Sequence, residues 1–124
     1  MTPFGLRLRE LRAARGVTLS AMAAEIGISA AYLSALERGH RGTPTPGLIQ
    51  QICGYFGLIW DDVETLKRLA NLSHPRVTLD TSGLTPGATA LANELAREIR
   101  SLPEPTIQEL RKVLAEKRGK ERKR

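Results

Sequence analysis

An all-α protein is predicted from three observations. Apolar residues recur every three to four positions along most of the chain, and Thr, Ser and Gly bracket those stretches where helices need caps and stops. The apolar vocabulary is mainly Leu, Ile, Val and Ala: hydrophobic residues make up 41% of the 124, but aromatics only 4%, the composition of a small helical bundle.

Residues 4–15 place Phe4, Leu8, Leu11 and the stem of Arg15 at helical spacing, with Arg7, Arg9 and Arg12 between them. Thr2 and Pro3 supply a start and Gly16 a stop. Thr18 caps a second helix to about Ile26, Gly27 ends it, and Ser29 caps a third helix to about Arg38. The connection is too short for antiparallel packing and implies a helix-turn-helix crossing. Residues 39–47 read as a loop marked by Gly42, Pro44 and Pro46. A fourth helix over about 47–56 buries Leu48, Ile49, Ile52 and Phe56. Asp61 with Glu64 reads as a capping box for a fifth helix ending near Leu72, which closes a domain over 1–72. Trp60 is expected as a core or interface anchor beside that helix.

Residues 73–87 read as a linker, in which Val77 and Leu79 alternate with polar residues and Thr81-Ser82-Gly83 turns the chain. Thr85-Pro86 opens a sixth helix with Leu91, Leu95, Ile99 and Leu102 on one face. Pro103 and Pro105 interrupt it, and a seventh helix carries Ile107, Leu110, Val113 and Leu114. The two helices form a C-terminal region over 88–118, followed by a basic tail over 119–124. Two helices are too few for a core of their own, so their apolar faces must pack on the first domain, on a second copy or on another protein, and a homodimer through this region is the expectation.

The net charge of +6 is unevenly spread: residues 1–46 carry six Arg against three Glu, residues 47–116 seven basic against nine acidic groups, and residues 117–124 six basic against one acidic. A basic N-terminal part and tail around an acidic middle point to a polyanionic partner, nucleic acid before membrane. No apolar run is long enough to span a bilayer and no signal-peptide core is present, so a cytoplasmic location is expected. The single cysteine, Cys53, makes neither an intrachain disulfide nor a cysteine metal site. His40 and His74 lack partners at ligand spacing, and no nucleophile–base set or Gly-rich phosphate loop occurs. No metal, cofactor, small-molecule ligand or enzymatic activity is expected.

Residues 19–38 satisfy the packing demands of a helix-turn-helix together: Met22, Ile26, Ile28, Leu33 and Leu36 are apolar, Ala23 is small at the crossing, and Gly27 sits at the turn. The stretches Leu8-Arg9-Glu10-Leu11-Arg12, Gly16-Val17-Thr18 and Tyr32-Leu33-Ser34-Ala35-Leu36-Glu37-Arg38-Gly39 make residues 4–58 resemble the lambda-repressor and Cro-like domain of the Xre family. That resemblance implies a five-helix DNA-binding domain, here followed by a linker and two C-terminal helices. It also implies a transcriptional regulator, expected to be a dimeric repressor on an operator in the bacterial nucleoid.

The family lays its third helix in the major groove of double-stranded DNA. Carried onto this sequence, that turns Ser29, Ala30, Ala31, Tyr32, Ser34 and Ala35 toward base edges. Thr18 and Ser20 at the second helix's start, and Arg38, His40 and Arg41 after the third, are expected at phosphates. The resemblance further implies a structural ion pair between Arg12 and Glu37. This sequence departs from the pattern at Leu19, where the family often has glutamine. The third helix also offers no Arg, Lys, Asn or Gln before Arg38 for bidentate readout. Specificity is therefore expected to lean on thymine methyls and DNA shape. The alternatives are a protein-interaction adaptor and a low-specificity, nucleoid-type DNA binder.

Overall fold

In the computed structural model, residues 1–122 are described, with side chains through Lys120. The regular structure among these residues is helical: α1 (Pro3–Arg15), α2 (Leu19–Ile26), α3 (Ala30–Glu37), α4 (Pro46–Phe56), α5 (Asp61–Asn71), α6 (Pro86–Glu98), a short 3-10 turn (Ile99–Ser101) and α7 (Glu104–Arg122). No single helix is long and apolar enough to cross a membrane.

The chain divides into two units, Met1–Val77 and the residues from Thr78 onward. In the first, local chemistry sets most boundaries. The hydroxyls of Thr2, Thr18, Ser29 and Thr45 accept the N–H three residues on, at 3.0–3.2 Å, and start α1 to α4. Pro46, read from sequence as loop, is instead the first residue of α4, where its missing N–H costs nothing. Gly16, Gly27 and Gly57 close α1, α2 and α4 with positive φ.

The fifth helix departs from the expected capping box. Asp61 is its first helical residue, and the cap position belongs to Trp60, which has φ 51° and ψ −117° and makes no side-chain cap bond. The Trp60 carbonyl instead accepts the N–H groups of Val63 and Glu64, each at 3.1 Å. Asp61, Asp62 and Glu64 then stand in the first turn, where the helix dipole favours negative charge. Trp60 is no core residue either: it is 82% exposed.

Phe4, Leu8, Met22, Leu33, Leu36, Ile52 and Leu66 are fully buried, so each of α1 to α5 contributes to one core. Burial of such a side chain is worth about 1.5–3 kcal/mol before the entropy of ordering it is charged. Ile26 and Ile28, also expected at the crossing, are half-buried against this core.

The first unit continues beyond Leu72. Buried Ser73 accepts a hydrogen bond from the Phe4 N–H at 3.0 Å and donates to the Leu69 carbonyl at 2.6 Å. One hydroxyl thus joins the end of α5 to an otherwise unpaired N–H at the start of α1.

Cys53 is buried in α4. Burial pushes its thiol pKa up, and the charge of Lys67 offsets this only in part. Because the thiolate is the nucleophile, Cys53 is expected to resist a thiol reagent at neutral pH and to react promptly once the domain is unfolded in denaturant. Equal labelling rates in the two states would contradict that placement.

In the second unit, Thr85 caps α6 through Ala88. The helix ends at Glu98, not near Leu102 as its apolar spacing suggested. Leu102 precedes Pro103 and is held extended (φ −70°, ψ 128°), which forces the break. No strand forms around Val77 or Leu79, and both side chains are exposed. The seventh helix does not dissolve at 118 but runs through Arg122. Of the predicted basic tail, Lys123 and Arg124 lie outside the described residues. No described side chain from Thr78 to Lys120 is buried, and Leu91, Ile99, Leu110, Val113 and Leu114 are all exposed.

Candidate nucleic-acid interface

The sequence between Thr18 and Arg38 sets two short helices across each other. Gly27 has φ 81°, a conformation that costs L side chains energy, and the Ile28 N–H returns to the Ala23 carbonyl at 3.0 Å. The chain bends by 112° between α2 and α3. Ala23, only 1% exposed, keeps this close crossing open. Leu33 and Leu36 then anchor one side of α3 in the core.

The far end of α3 is held by α1. Glu37 is buried, and its carboxylate takes both terminal nitrogens of Arg12, with Arg9 Nε at 4.0 Å. Its carbonyl accepts the Thr2 N–H at 3.0 Å and the Thr2 hydroxyl at 3.1 Å. Gly5 lies against the same peptide: a Cβ there would stand 2.1 Å from the Glu37 oxygen. Neutralisation, hydrogen bonding and close backbone contact therefore converge on one residue, and together they fix the tilt of α3.

With that side anchored, the other side of α3 is left outward. Ala31 is exposed, whereas Ala30, Tyr32, Ser34 and Ala35 are half-buried. Ser29 is exposed, but its hydroxyl is engaged in capping Tyr32. Thr18 and Ser20 are exposed at the start of α2, where Thr18 likewise serves as the cap. Arg38, His40 and Arg41 are exposed just beyond α3, and Arg38 Nε also approaches the Ser34 carbonyl at 3.4 Å. Most of the outward surface of α3 is thus methyl and hydroxyl.

Sequence reasoning missed three residues that hold this surface. Thr2 was legible as a helix start but not as the clamp on Glu37, which lies 35 residues away. Gly5 gave one usable signal, a glycine inside an amphipathic helix, which commonly marks a close packing contact. The third is Arg15, read from sequence as a stem on the apolar face of the first helix. Its guanidinium instead donates to the carbonyls of Tyr55 (2.8 Å) and Phe56 (2.6 Å) and lies 5.4 Å from the Phe56 ring centroid. It completes the C-terminus of α4, where unpaired carbonyls favour a cation. Of the other helix 1 arginines, Arg7 pairs with Glu10 at 3.1 Å. Replacing Arg15 by Ala is expected to cost about 1.5 kcal/mol, since charge-assisted bonds are strong but one of these is solvent-exposed. Urea unfolding would measure it, and an unchanged midpoint would remove Arg15 from the scaffold.

A short helix anchored at both ends, crossed by its predecessor and presented outward, defines a helix-turn-helix protein. Residues 3–67, which are 65 of the chain's 124, match the helix-turn-helix domain family, and the chain belongs to that family. It is 41% identical over 63 residues to an uncharacterized HTH-type transcriptional regulator of Bacillus subtilis (strain 168), RghRB, a match covering 51% of this chain and 45% of that protein. To the HTH-type transcriptional repressor RghR of the same organism it is 42% identical over 52 residues, covering 42% of this chain and 38% of that protein. The matched region thus spans less than half the length of either relative. No solved structure matches the chain.

Proposed function

We propose that this protein is a DNA-binding transcriptional regulator of the Xre type, a repressor that occupies an operator as a homodimer. The observation that carries the reading is the presentation of α3, crossed at 112° by α2 and clamped to α1 through Glu37, with its small residues outward. The names of the two relatives, a transcriptional regulator and a transcriptional repressor, support the same reading.

In this mechanism α3 enters the major groove, where Ala30, Ala31 and Ala35 meet thymine methyls and Ser29, Tyr32 and Ser34 offer hydroxyls. Small side chains let the backbone of α3 approach the bases closely. Thr18 and Ser20, at the positive end of α2, face phosphate, and so do Arg38, His40 and Arg41. These phosphate contacts set register and make affinity fall with salt. Arg12 and Glu37 act on DNA only by holding α3. The five N-terminal helices form the lambda-repressor-like domain, and α6 and α7 join two copies, matching half-sites about one helical turn apart.

A low-specificity binder is the second reading, favoured by the lack of any Arg, Lys, Asn or Gln within α3. Selection of bound duplexes from a random library with the full chain, near physiological salt, separates the two. An enriched inverted repeat is expected; an unenriched pool with steep salt dependence would favour the second reading. To test the dimer, truncation should fall after Val77, because Ser73 belongs to the first unit. A truncated chain that is monomeric and binds weakly is expected, and an unchanged dimer would overturn the assignment to α6 and α7.

A further inference from the structure

The first unit carries an apolar corner that its core does not use. Immediately before α5, Ile59 is 64% and Trp60 82% exposed. Asp61, Asp62 and Glu64 follow them in the first turn of α5 and are exposed too, Glu64 pairing with Lys67 at 3.7 Å, on a chain whose net charge is +6. The carboxylates of Asp61 and Asp62 disfavour phosphate and suit a basic protein surface. Tryptophan is among the residues enriched as energetic anchors of protein interfaces.

The complementary surface is on α7. Ile107, Leu110 and Leu114 recur at helical spacing, and Leu110 and Leu114 are 41% and 63% exposed. Arg111 and Arg118, in seven-residue register with Glu104, line one edge of that stripe, which is basic over its C-terminal part. An apolar stripe with a basic edge is thus complementary in character to an apolar corner with an acidic rim.

We propose that the Ile59–Trp60 corner of one copy is the dock for α7 of a second copy. The contact rests on the homodimer reading above and names the surface that receives the C-terminal helix. Exchange in both directions gives two equal contacts related by a two-fold axis, the symmetry of most homodimers. A helix of 19 residues is about 28 Å long, enough to lay its apolar stripe over the Trp60 ring and carry its arginines past Asp61 and Asp62.

The test is sedimentation equilibrium of the full chain, with circular dichroism to verify folding. Trp60→Gly suits the positive φ there and removes the anchor, so the dimer dissociation constant is expected to rise at least tenfold. Asp61→Lys with Asp62→Lys in one chain, and Arg111→Glu with Arg118→Glu in another, should each be monomeric alone and form a heterodimer when mixed. Trp60 is the sole tryptophan, so its emission should shift to the blue on mixing. If Leu114→Asp gives monomers while the Trp60 and charge-exchanged chains dimerise like the wild type, the C-terminal dimer stands and this dock falls. A wild-type chain that remains monomeric at every concentration overturns both. A monomer whose Trp60 emission changes with Leu114→Asp also overturns the dock on a second copy, since the contact is then made within one chain.

Discussion

Replacing Glu37 by Ala is expected to destabilise the first unit by about 3–5 kcal/mol, a large share of the roughly 5–15 kcal/mol that holds a domain of this size. The carboxylate side chain is 1% exposed and the Arg12 side chain 10%, so the substitution leaves a guanidinium in the core without its counter-ion. Arg9 contributes little to that site, since its own side chain is 60% exposed and 4.0 Å away. The expected loss is mainly the cost of the stranded charge, and a second substitution reveals this. Exchanging both partners for apolar residues of similar volume removes the unpaired charge and should recover much of the stability. Urea unfolding of Glu37→Ala, Arg12→Met and the double variant Arg12→Met with Glu37→Leu would separate the terms. If Glu37→Ala kept full stability and altered only the preferred duplex, Glu37 would belong to the reading surface instead of the scaffold.

The features legible in the sequence are those whose causes lie within a few residues. Thr18, Gly27 and Ser29 mark the ends of α2 and α3 because caps and left-handed stops act over one turn. The apolar spacing of Leu33 and Leu36 is similarly local. The fifth helix shows where that reasoning stops. Asp61 and Glu64 have the spacing of a capping box, but a non-glycine residue with positive φ precedes them and moves the start by one position. No local pattern announces such a residue.

Long-range partners were equally illegible. Ser73 bonds across 69 positions and Arg15 across 40 and 41, so neither a turn-like serine nor an arginine on a helix reveals its target. The candidate interface divides in the same way. Its outward residues follow from helical spacing, whereas the groups that set the tilt of α3 are assembled from α1.

That assembly makes Gly5→Ala the sharpest test of how α3 is held. Inside a helix, glycine to alanine ordinarily stabilises by up to about 1 kcal/mol, because alanine restricts the unfolded chain. Gly54, within α4, has nothing within 4 Å of a built Cβ, and Gly54→Ala is expected to follow this rule. At Gly5 the sign should reverse. The added carbon would lie 2.1 Å from the Glu37 oxygen, 2.7 Å from its Cα and 2.8 Å from its carbonyl carbon. These are backbone atoms with no rotamer to change, so the end of α3 must move away from α1. That motion also strains both Thr2 bonds to the Glu37 carbonyl. The expected cost is about 1–3 kcal/mol by overpacking, measured against the Gly54→Ala control. If α3 reads DNA, affinity should fall further than stability explains, because the surviving fold holds α3 at another angle. Binding assayed well below the melting temperature, with both variants folded, would show it. A Gly5→Ala protein as stable and as tightly bound as Gly54→Ala would mean that the α1–α3 contact does not set the angle of the helix.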